Sequence, residues 1–443
     1  MTLSNDIEKP SSKSSSDTPA DVEMMTAPKA PAPSGPLGVG PPPNGGWKAW
    51  SQVVGGFFLM FNTWGLTNAF GVFQTYYATT LIPESSTSDI AWIGSLQGFL
   101  MLIIAVICGW ALDAGHFFVL ATVGLFFQVF GMMMTSLSSE YYQIVLAQGV
   151  CVGIGSGCFL VCAFTIVGTY FSTRRSYAMG LTATGSSVGG IIYPVIIRQL
   201  ISQAGFPWAV RAMGFVVLGT LAISIALLRP RMPPKKLGPL IDLSALRDIP
   251  YAFFLASMLF TYMGLYIPFF YITDYALSLG IDKDIAFYTL IIMSAGSIPG
   301  RILPPYFADK IGNVNVMLPA TLICALLLFC WIAVTSLAGL IVVSVLFGFF
   351  SGAAQALIPS VVVWLAPDLS KAGVRIGMTL FMCGLGLLVG SPIGGAIIGV
   401  QSSLGHQTYW GVLLWGACTV SLGAMSLLVT RTLKVGWDIF VKA

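Results

Sequence analysis

The chain has 443 residues, 56% of them hydrophobic and only 9% charged, against about 25% charged in ordinary soluble domains. A soluble fold of this size cannot hide so much apolar surface, so the composition excludes one and implies many membrane crossings. The net charge is +4, and its basic residues sit in short loops, which points to membrane topology and away from nucleic acid.

Residues 1–46 are rich in Ser, Pro, Lys and acid and lack an apolar core segment. They read as a disordered cytoplasmic tail rather than a cleaved signal. Helix-length apolar runs follow at roughly 49–74, 90–110, 117–137, 142–164, 176–198 and 209–228, then at 250–273, 285–305, 314–335, 338–364, 374–399 and 408–430. Each is long enough to cross the hydrocarbon layer. The expectation is an all-α membrane protein of twelve transmembrane helices with both termini cytoplasmic. It comprises a six-helix bundle over 47–228, a linker loop over 229–248, a second bundle over 249–430 and a short tail over 431–443. The eight cysteines fall in these runs without metal or disulfide spacing, so core packing is expected of them.

Charge sets the orientation. Seventeen Lys and Arg fall in the segments assigned inside: Lys9, Lys13, Lys29, Lys48, Arg174, Arg175, Arg229, Arg231, Lys235, Lys236, Arg247, Lys310, Lys371, Arg375, Arg431, Lys434 and Lys442. Only Arg198, Arg211 and Lys283 fall outside, a clear positive-inside bias. The halves also repeat. Gly65-Leu66 before Phe70 and Tyr76 matches Gly264-Leu265 before Phe269 and Tyr275, Asp113 matches Asp309, and Gly180 and Gly189 match Gly377 and Gly386. The offsets are 199, 196 and 197, as a duplicated six-helix unit requires. Such halves describe a rocker-type secondary transporter with its site between them. Glycines spaced by four (Gly149, Gly153, Gly157; Gly185, Gly189; Gly348, Gly352; Gly386, Gly390, Gly394) let helices approach closely, and some are expected at the moving interface.

Arg301 interrupts the eighth run, eight residues before Asp309 and so about 12 Å along a helix. A charge there costs at least roughly 2.5–3.5 kcal/mol on insertion scales if it faces lipid, so it is expected to face a central cavity. Its planar guanidinium suits a carboxylate; a structural link to helix carbonyls or to the gate is the alternative. Aromatic candidates for the same cavity are Trp64, Phe70, Tyr193, Tyr266, Phe269 and Tyr271, and polar ones are Asn62, Asn68, Gln74, Gln97 and Gln355. Pro268 is expected to break the seventh helix. His116 and His406 are far apart and no nucleotide-binding motif occurs, so no enzyme and no cofactor are expected.

Several stretches carry a resemblance: NGGWKAW (Asn44 to Trp50), WGLTNAFGVFQTYY (Trp64 to Tyr77), SDIAWIGSLQ (Ser88 to Gln97) and YFSTRRSYAMGLTATGSSVGG (Tyr170 to Gly190). Over residues 44–430 the chain resembles the major facilitator superfamily, and within it the fungal monocarboxylate-porter-like branch. Asn44 stands where that branch usually has an acid. The resemblance implies a cytoplasmic gate at Gly109 and Asp113, where the following basic residue is missing, and at Asp309 and Lys310, where Pro305 replaces a glycine. Arg174 and Arg175 are either partners of these acids or plain inside anchors. It also implies that Arg301 binds the substrate anion. Proton-coupled members add an aspartate one turn earlier and a lysine in the first span; here those places hold Ser297 and Asn68. Lactate-type symport is therefore doubtful and proton coupling stays open. The expected function is efflux of a fungal secondary metabolite across the plasma membrane. Uptake of a monocarboxylate or vitamin-like nutrient, and a non-transporting membrane sensor, are the alternatives.

Overall fold

A computed structural model describes residues 41–172, 174–233, 243–366, 372–403 and 409–437. Most of the expected N-terminal tail, the middle of the linker and the last residues lie outside that set. So do Lys9, Lys13, Lys29, Lys235, Lys236, Lys371, Lys442 and His406.

The first apolar run forms α1 (Gly46–Asn62), α2 (Trp64–Asn68) and α3 (Phe70–Tyr76), closed by a wider π-helical turn over Tyr77–Leu81. The next helix, α4 (Thr87–Asp113), starts at a reciprocal cap: the Ser86 hydroxyl accepts from the Asp89 amide, and the Asp89 carboxylate accepts from the Ser86 amide. Then come α5 (Phe117–Thr135), α6 (Tyr141–Ile144), a π-helical stretch over Val145–Val152, and α7 (Gly153–Tyr170). The long α8 (Arg175–Leu227) leaves helical geometry at Gly205, with φ 79°. Its two arms lie side by side on α1: Thr182 packs against Gly56, and the Ser224 hydroxyl donates to the Gly55 carbonyl at 3.0 Å.

After a single 3₁₀ turn (Leu243–Arg247), the second half holds α9 (Ile249–Leu265), α10 (Ile267–Ser278), α11 (Lys283–Ile311), α12 (Asn313–Trp331), α13 (Leu337–Leu365), α14 (Ala372–Ser403) and α15 (Trp410–Val435). The break between α9 and α10 falls at Tyr266, beside Pro268, whose missing N–H cannot continue the ladder. No strand occurs among the described residues. Ten helical stretches there are long and apolar enough to cross a membrane. Their outer faces are apolar, with Phe118, Phe126, Leu326, Val342 and Met425 all exposed, as lipid requires and water does not. Cys330 and Cys418 lie on such faces rather than in the core expected of them, while Cys108, Cys158, Cys162, Cys324 and Cys383 are buried.

Helix pairing in the first half recurs in the second. The α1 helix packs on α8, α4 on α7, and α5 on α7 and α8; likewise α9 packs on α15, α11 on α13, and α12 on α13 and α15. The halves meet along three seams: α4 with α14, α8 with α11, and α3 with α10. The four-spaced glycines do not lie in these seams, contrary to the sequence expectation. Gly185 and Gly189 press on the Phe57 and Phe61 carbonyls of α1, Gly348 on the Met293 carbonyl of α11, and Gly390 on Met263 of α9. They close each half internally. The seams use Gly71, Gly98, Gly180, Gly190 and Gly395 instead.

Candidate solute site and gates

Arg301 sits in α11 and is only 3% exposed. Its neighbours are neutral. One guanidinium nitrogen (Nη2) donates to Gln355 Oε1 of α13 at 3.4 Å, and the same oxygen accepts from the Tyr266 hydroxyl at 3.0 Å. The Arg301 Nε has no partner at all. A guanidinium with a spare donor among neutral groups is a ready acceptor-binding point. Above the tyrosine, the Trp64 ring stacks on Tyr266 with centroids 5.5 Å apart and planes 20° apart. The Phe269 ring centroid lies 5.5 Å from that of Tyr266, with the planes tilted by 34°. Trp64, Tyr266, Gln355 and Arg301 thus form one chain of contacts drawn from both halves.

Ser297, one turn before Arg301, exchanges a hydrogen bond with Ser187 of α8 at 2.6 Å and donates to the Ser294 carbonyl. Asn68 lies beside Gly190 and Ser294, across the same seam, and its side-chain oxygen has no partner. These two residues join the central group. Phe70 is buried against Gly94 and lies 5.0 Å from Phe270, filling the α3–α10 seam. Gln74 is buried with its amide close to the Asp274 carboxyl of α10, and Gln97 is buried with an idle oxygen while its backbone seats Gly153. Tyr271 instead donates to the Ser391 carbonyl inside the second half.

Tyr193 and Asn62 are not brought to Arg301. The Tyr193 hydroxyl donates to Asn62 Oδ1 at 2.5 Å, and Asn62 also bonds Thr220, while Gln128 donates to the Asn62 carbonyl. This network ties α1, α5 and α8 together within the first half. A groove of about 340 Å³ lined by Phe130, Met134, Leu137, Gln143, Leu146 and Cys151 opens on the apolar flank of α5 and is likewise separate from Arg301.

The expected gate residues lie at the end of the molecule where the linker joins the halves. Gly109 touches Val161, and Asp113, Arg174, Arg175, Asp309 and Lys310 are all exposed there. The Arg175 guanidinium lies over Gly168, and the Lys310 ammonium sits 4.6 Å from the Tyr306 ring centre.

Two groups were not singled out from the sequence. Arg375, read only as an inside anchor, is buried and pairs with Asp248 at 2.7 Å, donates to the Leu365 carbonyl and lies over the Tyr251 ring. Asp274 of α10 accepts from the Thr75 hydroxyl of α3 at 2.7 Å. Its signal was slight, since it falls one residue past the seventh apolar run, 250–273.

Residues 53–337 match the family described as Major Facilitator Superfamily. The chain is 45% identical over 410 residues to the MFS-type transporter dbaD of Emericella nidulans, covering 91% of this chain and 92% of that one. The chain belongs to the Major Facilitator Superfamily. Such proteins are multi-pass membrane proteins that move small solutes, and the apolar helices agree. The chain is also 37% identical over 411 residues to the Aspyridones efflux protein of Emericella nidulans, covering 90% and 82%. To the Agnestins efflux protein of Paecilomyces divaricatus it is 37% identical over 393 residues, covering 88% and 89%. A crystal structure of a mutant nucleoside transporter NupG superposes with a TM-score of 0.66 at 18% identity, over 86% of this chain and 98% of that one, and shares the fold.

Proposed function

We propose that this facilitator exports a fungal secondary metabolite, an organic solute held between its halves at Arg301. The observation that carries the reading is the buried guanidinium, with a free donor, facing neutral and aromatic groups instead of an acid. The efflux proteins among its relatives favour the same direction and solute class. In this reading the chain spans the plasma membrane twelve times, because α1 to α3 make one span and the arms of α8 make two. The six-helix bundles are 47–228 and 249–430, and the linker end, with both termini, is cytoplasmic. The branch is the monocarboxylate-porter-like one, altered for a larger solute by Asn68 and Ser297.

Trp64, Tyr266 and Arg301 are buried, while Gln355, which joins them, is half-buried. Parting of the α3–α10 seam would open the site outward. Parting of the helix ends around Asp113 and Asp309 would open it to the cytoplasm.

The test is counterflow in proteoliposomes with a panel of aromatic polyketide acids and phenols, and with lactate as the comparison. At least one aromatic acid should exchange saturably, and Arg301→Ala should lower that exchange by tenfold or more with membrane targeting intact. Arg301→Lys should recover little, since the ammonium lacks the planar fork. Saturable lactate uptake driven by an inward proton gradient would overturn the reading and restore a monocarboxylate symporter.

A further inference from the structure

The first span bends at Thr63, where φ is −89° and ψ is −85°. An ordinary helical ψ is about −42°, so the backbone is turned there by about 40°. Such bends have identifiable causes: a proline, a pair of small residues, or a side chain drawn into the backbone ladder. The stretch Gly46–Tyr76 holds no proline, and its glycine pair, Gly55 and Gly56, lies two turns earlier.

The third cause is present. Gln128 of α5 reaches into α1, where its Nε2 donates to the Asn62 carbonyl at 2.5 Å and to the Ser156 hydroxyl of α7 at 3.3 Å. A carbonyl can only accept, which fixes the orientation of the amide. Asn62 is held by its side chain as well. Its Nδ2 donates to the Phe58 carbonyl and to Thr220, and its Oδ1 accepts from the Tyr193 hydroxyl.

Asn62, Gln128 and Tyr193 are fully buried. The Gln128 Oε1 has no partner, and a stranded amide oxygen costs stability. For packing alone a methionine would fill a similar volume with no stranded oxygen. What the amide supplies is the N–H that takes the Asn62 carbonyl, one residue before the bend. The residue after the bend is Trp64, whose ring stacks on Tyr266 of the other half. Tyr266 in turn shares Gln355 with Arg301. Returning Thr63 to helical geometry would rotate Trp64 away from Tyr266 by about the same 40°.

We propose that Gln128, with Asn62 and Tyr193, is a positioning residue of the solute site. It touches no solute. It bends the first span at Thr63 so that Trp64 lies on Tyr266, and so sets how well the site holds a flat, aromatic solute. This deepens the transport reading above and rests on it, but the spectroscopic half of its test needs no solute.

The experiment uses full-length protein in lipid nanodiscs, with fluorotryptophan in place of tryptophan and fluorine NMR as the readout. The chain has 11 tryptophans, so Trp64→Phe assigns the resonance, and Tyr266→Leu shows where it falls without the stack. In Gln128→Met the Trp64 resonance should leave its parental position for the unstacked one. Tyr193→Phe, which loses a single hydroxyl, should shift it part of the way. Tyr251→Phe loses an equally buried hydroxyl bond, to the Arg375 carbonyl, and should leave it in place. A Gln128→Met protein with the parental resonance overturns the proposal, and so does a Tyr251→Phe protein that moves it as far. Where Gln128→Met does not fold, Tyr193→Phe decides, and a parental resonance there overturns the proposal too. In counterflow with the aromatic acids, Gln128→Met should raise the half-saturating concentration several-fold, and by more than it lowers the maximal rate. A fall in maximal rate alone overturns the role in binding. Failure of the counterflow test in the parent, with the resonance shifts as expected, would sink the export reading alone.

Discussion

Arg375 and Arg301 show how differently one residue type behaves at two depths. Arg375 satisfies its guanidinium with Asp248, the Leu365 carbonyl and the Tyr251 ring, so it anchors the start of α14 to the start of α9. Removing one partner of such a pair leaves the other charge half-stranded. Because Asp248 keeps about a quarter of its surface in solvent, the cost falls below that of a fully buried pair, at about 1–3 kcal/mol. Arg375→Ala should therefore lower the melting temperature by several degrees, read by tryptophan fluorescence in detergent, and Arg375→Lys should recover only part of it. Unchanged melting would make the pair decorative. The sequence located Arg301 because a charge interrupts an apolar run. It could not separate Tyr193 from Tyr266: both are aromatic in apolar runs, and only the fold turns one to Asn62 and the other to Gln355.

At the level of helices, the apolar runs were legible because lipid forces every backbone group to bond within its own segment, which leaves helix as the local solution. The break at Tyr266 was legible from Pro268, but the matching interruptions at Thr63 and Ala69 have no proline to announce them. The four-residue glycine spacing announced close approach without naming the partner, and the partners are helices of the same half. That distinction is testable. Gly390→Ala would drive a methyl into the Met263 backbone, which cannot swing aside, and overpacking of this kind costs about 1–3 kcal/mol. Gly399→Ala on the same helix meets nothing within 4 Å and should be silent. Size-exclusion profiles of the two variants should differ, with aggregation confined to Gly390→Ala; equal profiles would mean the α9–α14 contact is loose. The repeat also gains a meaning that offsets alone did not carry. Thr75 and Asp274 are 199 residues apart, the same offset as the matched Gly-Leu pairs, and they touch each other. Equivalent positions of the two repeats meet at one point of the seam, where one carries a hydroxyl and the other an acid.

For the molecule as a whole, the three seams leave Arg301 about eighteen residues into a 29-residue helix, near mid-depth and between the halves. Asp274 lies toward one end. If the halves rock about the centre, a charge at the pivot hardly changes depth. The membrane potential does work only on charge displaced across the field, about 2.3 kcal/mol per unit charge per 100 mV. Arg301 would then be electrically silent however often the carrier turns over. Currents from a densely reconstituted, solute-free bilayer should show no displacement charge from it: Arg301→Gln and the parent should give equal transients after a voltage step. A transient lost in the variant would mean that the arginine itself travels. With a silent pivot, the voltage a cell maintains acts on this carrier through its passengers alone.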